Sequence, residues 1–186
     1  MRVISGTARG KVLLPVPGMT TRPTTDRVKE NIFNIIQTRV RGAKVLDLFA
    51  GTGQMGIEAL SRGAASCDFV DHDREALCVI RKNIDGARVA SRAHVHAARA
   101  AAFLERCRGA GYDLVFLDPP YGGKLLNEAV FAAERFDILS ENGIMVCESA
   151  VADVLDPRIS GGREYRYGAI RVTVLEKNGV NGIIKL

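Results

Sequence analysis

Asp47-Leu48-Phe49-Ala50-Gly51-Thr52-Gly53-Gln54-Met55-Gly56 is the stretch that decides the fold. An apolar, strand-like run, Val45–Phe49, gives way there to a helix-like run near Met55–Arg62. Gly51, Gly53 and Gly56 fit G-x-G-x-x-G, a spacing that permits a tight turn and close approach of backbone to a ligand. Asp71 lies twenty residues beyond Gly51, at the end of the next apolar run. A carboxylate there can accept hydrogen bonds from ribose hydroxyls. Asp73 fits the same spacing nearly as well, and could equally cap a helix starting near Arg74.

Strand-like and helix-like runs alternate outward from this loop. The strands are expected at Val45–Phe49, Cys67–Val70, Ala93–His96, Leu114–Leu117 and Ile144–Cys147. The helices between them fall near Met55–Arg62, Arg74–Asp85, Ala98–Arg108 and Leu125–Leu139. Such alternation calls for a mostly parallel sheet with helices on both faces, an α/β fold. Arg163–Tyr167 and Ile170–Glu176 flank Gly168-Ala169 and read as an antiparallel hairpin at the sheet edge. Upstream, Arg2–Ser5 and Lys11–Pro15 suggest a small hairpin. Pro23 then interrupts the chain, and Thr24 or Thr25 can cap an amphipathic helix from Thr25 to Val40, with Val28, Ile32, Ile35 and Ile36 as its apolar stripe.

With 186 residues, 47% hydrophobic and 25% charged, the chain suits one globular domain. The expected division is a basic extension over 1–42, a core over 43–177 and a tail over 178–186. No apolar run approaches the roughly 18 residues of a membrane span, and Met1–Gly6 lacks the apolar region of a secretory signal. Cys67, Cys78, Cys107 and Cys147 have no paired spacing, which argues against a disulfide framework or zinc site and suits a reducing cytoplasm. His94 and His96 share a strand face but have no further ligands at suitable spacing, so no metal is expected. Residues 1–46 carry nine Lys and Arg against two acids, net +7, while the other 140 residues carry 17 against 19, net −2. A basic arm on a near-neutral body fits a polyanionic partner such as nucleic acid.

Asp47, immediately before the glycine loop, would repel the pyrophosphate of a dinucleotide but attract a cationic ligand. S-adenosylmethionine fits this loop: it has ribose hydroxyls for Asp71, a positively charged methionine end and no phosphates. A dinucleotide such as NAD is the rival, and the chain leaves little room for a dehydrogenase's separate substrate domain. His72 lies between Asp71 and Asp73, near the expected adenosine.

Asp118-Pro119-Pro120-Tyr121 follows the fourth expected strand, and ligands in open α/β sheets sit beyond the carboxyl ends of strands. Two prolines stiffen the backbone. A fixed carboxylate and a fixed carbonyl suit methyl transfer to an exocyclic base amine, whose lone pair is conjugated into the ring. Hydrogen bonds from that amine to Asp118 and the Pro119 carbonyl would favour a more tetrahedral nitrogen, and Tyr121 can stack on a base taken out of its helix.

The Asp-Pro-Pro-Tyr and glycine motifs resemble those of amino-methyltransferases. The N-terminal Met-Arg-Val-Ile-Ser-Gly with Arg9-Gly10 and Leu13, the run Arg22-Pro-Thr-Thr-Asp-Arg-Val-Lys-Glu30-Asn-Ile-Phe-Asn34, and Glu58-Ala-Leu-Ser-Arg-Gly63 narrow this. Together they resemble the bacterial RsmD family over Met1 to about Lys177. The resemblance implies a Rossmann-like class I methyltransferase fold with a seven-stranded sheet, S-adenosylmethionine as cofactor, and methylation of a guanine N2 amine in 16S rRNA, within the small subunit or an assembly intermediate. Carried over by position, Asp47, Phe49, Ala50, Gly51, Thr52, Gly53 and Gly56 would form the cofactor loop, with Asp71 and His72 near ribose and adenosine. Asp118, Pro119, Pro120 and Tyr121 would hold the guanine, and Arg9, Lys11, Arg22, Arg27 and Lys29 would touch RNA. Where the family usually has an acid after the third strand, this chain reads Ala97-Ala98-Arg99. The alternatives are a DNA adenine-N6 or cytosine-N4 methyltransferase, for which no target-recognition domain is evident, and a non-catalytic RNA-binding module.

Overall fold

Val45 and Leu46 are wholly buried because their strand, β1 (Lys44–Asp47), lies inside the sheet and takes a helix layer on each face. A computed structural model of the protein describes residues 1–18, 25–159 and 162–177. The sheet adds β2 (Ser66–Asp71), β3 (Ala93–Ala97), β4 (Tyr112–Leu117), β5 (Leu139–Ala150), β6 (Arg163–Tyr167) and β7 (Ile170–Glu176), in the order β3-β2-β1-β4-β5-β7-β6. β1 through β5 run parallel, while β7 pairs antiparallel with both β5 and β6.

The helices are α1 (Asp26–Ile35), α2 (Gln37–Val40), α3 (Gln54–Ser61), α4 (Arg74–Ala87), α5 (Ala100–Arg106) and α6 (Lys124–Arg135). Strand side chains alternate between faces. Val45, Phe69, Phe116, Val146 and Val174 therefore pack with Phe33 of α1, Ile57 of α3 and Ile80 of α4. Leu46, Val70, Val115, Leu117 and Met145 pack on the other face with Leu104 of α5 and Val130 of α6.

The expected alternation, the seven-stranded sheet and the terminal hairpin are all present, and several boundaries differ. Helix Thr25–Val40 divides at Ile36, where the Arg39 amide turns back to the Ile36 carbonyl at 2.8 Å. Thr25 is its N-cap, its hydroxyl accepting from the Val28 amide. The helix expected over Ala98–Arg108 is confined to Ala100–Arg106. α6 stops at Arg135 rather than Leu139, because Asp137 takes a left-handed conformation (φ 50°) that closes the helix. β5 then begins at Leu139, well before Ile144, and its first part reaches Tyr112 through a register shift.

The N-terminal hairpin is reduced to one antiparallel bridge, Arg2 to Val12. The Val3 amide still donates to the Lys11 carbonyl and the Leu13 amide to the Met1 carbonyl, at 2.9 and 3.2 Å, while other backbone groups of the arm are taken by helices. The Ile4 and Ser5 amides donate to the Glu58 carboxylate at 2.7 and 3.0 Å, and the Ala8 amide donates to the Ser61 hydroxyl at 2.9 Å. Asn83 of α4 accepts from the Leu14 amide at 2.8 Å and returns a bond to its carbonyl at 3.1 Å.

Candidate active site

β1 and β4 are neighbours, with Asp47 opposite Phe116, so the loops that leave their carboxyl ends start side by side. The first is the glycine loop. Gly51 and Gly53 have φ of 53° and 77°, conformations costly for any side chain with a Cβ. The loop is tied to β2 at two levels. The Ala50 amide donates to the Val70 carbonyl at 3.0 Å, and the Gly51 amide donates to Asp71 Oδ2 at 2.9 Å. Asp71 Oδ1 accepts from the Asp73 amide at 2.9 Å. Each carboxylate oxygen has a second lone pair, so Asp71 retains capacity for two hydroxyl donors. Asp73 is committed elsewhere: its Oδ1 caps α4, accepting from the Glu75 and Ala76 amides at 2.7 and 2.9 Å.

Asp47 lies beneath this loop, 3% exposed, with Oδ2 accepting from the Gly56 amide at 2.9 Å. Burial raises its pKa to about 7; Asp71 nearby pushes the same way and the Gly56 bond opposes it. The carboxylate expected from the sequence to attract a cation is therefore a buried group, bonded to the loop's own backbone. Gly56 lies tight against β2. A Cβ there would stand 2.3 Å from Phe69 Cε1 and 2.6 Å from Cys67 Sγ, so the glycine permits close packing of α3 on β2. Above Gly51 there is open space, with nothing nearer than 4.0 Å to a Cβ. The Thr52 carbonyl accepts from Asn83 at 2.9 Å, and Phe49 and His72 are half-buried and exposed respectively, His72 Nδ1 lying 3.7 Å from Asp71 Oδ1.

The second loop is Asp118–Tyr121, after β4. Asp118 is half-buried, Pro119 buried and Pro120 exposed. Tyr121 is 49% exposed, and its hydroxyl donates to Glu148 Oε1 at 3.3 Å. Glu148, near the end of β5, is buried and went unnoticed in the sequence, which offers no local motif around it. The loop is braced from the segment after β5. The Gly122 amide donates to Asp153 Oδ1 at 3.1 Å, and Asn127 of α6 bonds the Val154 carbonyl and the Asp156 amide.

The basic residues separate into different settings. Arg9, Lys11 and Arg27 are exposed, while Arg22 lies outside the described residues, as does the tail 178–186. Lys29 is a correction. It is fully buried, donating to the Arg2 carbonyl at 2.6 Å and lying 3.7 Å from Glu58, so it has no surface to offer RNA. Burial pushes its pKa down, and Glu58 and Asp26 partly restore it. Arg62, stacked over the Phe33 ring, completes the cluster by donating to Glu58 at 2.7 Å. The Glu58-Ala-Leu-Ser-Arg-Gly63 run thus fastens the arm to α3, a role that the sequence pattern did not disclose.

His96 is paired with Asp68 at 2.6 Å, and Tyr112 donates to the same carboxylate at 3.0 Å. Among the described residues no group of three or more His, Cys, Asp or Glu could hold a metal ion, and no helix is long and apolar enough to cross a membrane.

This sheet order, with a glycine loop after β1 and an antiparallel final hairpin, defines a Rossmann-like methyltransferase fold. Comparison with known proteins narrows the class. A family model described as "Conserved hypothetical protein 95" matches residues 1–176. YlbH of Bacillus subtilis is 40% identical over 185 residues, covering 96% of this chain and all of that protein. Ribosomal RNA small subunit methyltransferase D of Escherichia coli is 38% identical over 156 residues, covering 83% of this chain and 77% of that one. Among solved structures, yhhF from Escherichia coli superposes with a TM-score of 0.83 at 35% identity, covering 96% and 98% of the two chains. An RNA methyltransferase from Salinibacter ruber, in complex with S-adenosyl-L-homocysteine, shares the fold at 18% identity and a TM-score of 0.67, over 84% and 94%. The chain belongs to the RsmD family.

Proposed function

We propose that the protein is an S-adenosylmethionine-dependent methyltransferase that methylates the exocyclic N2 amine of a guanine in 16S rRNA, in the cytoplasm and within the small subunit or an assembly intermediate. The observation that carries this reading is the adjacency of the two loops: a glycine loop backed by Asp71 and, one strand over, Asp118-Pro119-Pro120-Tyr121. The name of the Escherichia coli relative supports the substrate class. The residues fit the cofactor. Asp71 can take ribose hydroxyls on its remaining lone pairs, the space above Gly51 admits a ligand against backbone, and buried Asp47 offers a carboxylate near a cationic methionine end.

When bound, the cofactor supplies an activated methyl group. The chain's own residues do the rest. Asp118 and the Pro119 carbonyl accept hydrogen bonds from the guanine amine and turn its lone pair out of conjugation. Tyr121, anchored through Glu148, stacks on the extruded base. As the nitrogen gains the methyl it gives up one proton, for which Asp118 is the nearest acceptor in this scheme. The rate gain comes from orientation and fixed electrostatics. Gly51, Thr52, Gly53 and Ala50 shape the cofactor loop with Phe49 on its flank, and His72 lies at the adenosine edge. Exposed Arg9, Lys11 and Arg27, with Arg22, serve RNA phosphates, which makes the 1–42 extension an RNA-facing addition to the 43–177 core.

The test is transfer of labelled methyl from S-adenosylmethionine to small subunits lacking the modification, followed by nucleoside analysis. N2-methylguanosine is the expected product. Label in N6-methyladenosine or N4-methylcytidine would overturn the target, and absence of label with the cofactor bound would leave a binding role.

A further inference from the structure

The N-terminal arm is laid along α4. Val16 packs with Ala76 and Val79, the Leu14 backbone is held by Asn83, and the Lys11 side chain crosses Gly86, its Cε 2.8 Å from where a Cβ there would stand. Those four α4 positions form one stripe of the helix. Lys82 precedes Gly86 by one turn and is its neighbour on the helix surface, which sets it beside Lys11. The exposed face of α4 also carries Arg74 and Arg81, and exposed Arg88 caps its C-terminus. Arg74 and Arg81 are about two full turns apart and so stand on one line. From Arg74 to Arg88 the helix covers about 21 Å at 1.5 Å per residue. The line starts at the rim of the cofactor site, where Asp73, the α4 N-cap, donates its amide to Asp71.

Exposed Arg9 and Lys11 add the arm's cations to these four. The acids on the exposed face of α4 are Glu75 and Asp85. Six cations against two acids leave +4, most of the chain's net +5. Among the described residues none of the six is in an ion pair. Asp85 stands one turn from Arg81, at the spacing of a helical ion pair, yet Arg81 bonds the Leu77 carbonyl at 3.3 Å instead. A helix face kept in water by ion pairs would spend such charges on one another. These cations are left as a positive surface, which fits a polyanion. Counting charge along the chain hides it, because residues 47–186 are net −2. Folding brings the core's cations beside the arm's.

We propose that the exposed face of α4, with the arm laid along it, binds the phosphate backbone of the substrate RNA. The proposal rests on the RNA methyltransferase reading and carries its RNA contact from the arm into the catalytic core. Phosphate contacts position an RNA without reading its sequence, and each one steepens the salt dependence of binding. The test measures the affinity of small subunits lacking the modification, by filter binding from about 50 to 200 mM salt. Arg81→Ala/Lys82→Ala is compared with the wild type and with Arg106→Ala, which removes an exposed cation from α5 on the other side of the sheet. The double variant should bind about tenfold more weakly at the low-salt end, and its log–log salt slope should fall by about 1.4–1.8, the value for two phosphates. Its cofactor affinity and thermal midpoint should match the wild type, and Arg106→Ala should bind as the wild type does. Unchanged affinity in the double variant, or an equal loss in Arg106→Ala, would overturn the proposal. A weaker affinity with an unchanged salt slope would also contradict it, and would assign the surface to a protein of the subunit. No methyl transfer by a wild-type chain that binds subunits would instead overturn the methyltransferase reading.

Discussion

At the glycine loop, the amides of Gly51, Gly56 and Asp73 all close onto carboxylates at the carboxyl ends of β1 and β2. At the Asp118–Tyr121 loop, rigidity comes from two prolines, from Glu148 on β5 and from Asp153, which braces Gly122 from 31 residues downstream. The first loop is shaped by the strands that generate it. The second is shaped by what leans on it. The difference suits the two ligands in the proposed reaction: a small cofactor can use a pocket fixed in advance, whereas a base drawn out of RNA needs an open, accessible edge.

The strongest way to break the contrast is through the arm fastened to α3, the helix that leaves the first loop. Glu58 is fully buried and serves the Ile4 and Ser5 amides, Lys29 and Arg62 at once. Glu58→Ala should cost about 3–5 kcal/mol, because it strands a buried ammonium and two amides. Chemical denaturation would check this; a loss below about 1 kcal/mol would mean that the arm is not fastened there. Gly56→Ala comes next. Its methyl would meet Phe69 and Cys67, and a destabilisation of about 1–3 kcal/mol is expected from overpacking, read as a shift in thermal midpoint.

A smaller effect sharpens the comparison through pH. The Asp47 carboxyl is raised to about 7 by burial, above its value in the unfolded chain. Its charge therefore costs nothing below pH about 4, and the destabilisation grows as pH rises through about 7. A cationic ligand favours the ionised form, so cofactor affinity should rise about tenfold between pH 6 and 8 and release protons on binding. Titration calorimetry in buffers of different ionisation enthalpy would measure both, and Asp47→Asn should abolish both. An unchanged pH profile in that variant would separate Asp47 from the cofactor.

The sequence yielded the architecture readily where the signal is local. The glycine spacing, the alternation of runs and the Gly168-Ala169 turn place β1 through β4 closely, and β6 and β7 at Arg163–Tyr167 and Ile170–Glu176. It failed where a partner is distant. Lys29 looks like one more cation in a basic run, and only Glu58, on another helix, makes it a buried structural group. β5 looked four residues long because Ser140, Glu141 and Asn142 interrupt its apolar run, yet β4 pairs as far back as Leu139. The site's loops were legible as motifs, since glycines and prolines mark backbone needs directly. Their braces were not: Asn83, Glu148 and Asp153 are ordinary polar residues whose work depends on long-range geometry.

The most direct test of two loops with two duties is a paired measurement on Asp71→Asn and Asp118→Ala, recording cofactor affinity and methyl transfer to small subunits for each. Asp71→Asn should weaken cofactor binding about ten- to a hundredfold, the range for a hydrogen-bonded charged group. Asp118→Ala should bind the cofactor as the wild type does and lose about 10²–10³ in transfer rate. Asp118→Ala transferring methyl at the wild-type rate, or losing cofactor affinity as severely as Asp71→Asn, would contradict the division of labour between the loops.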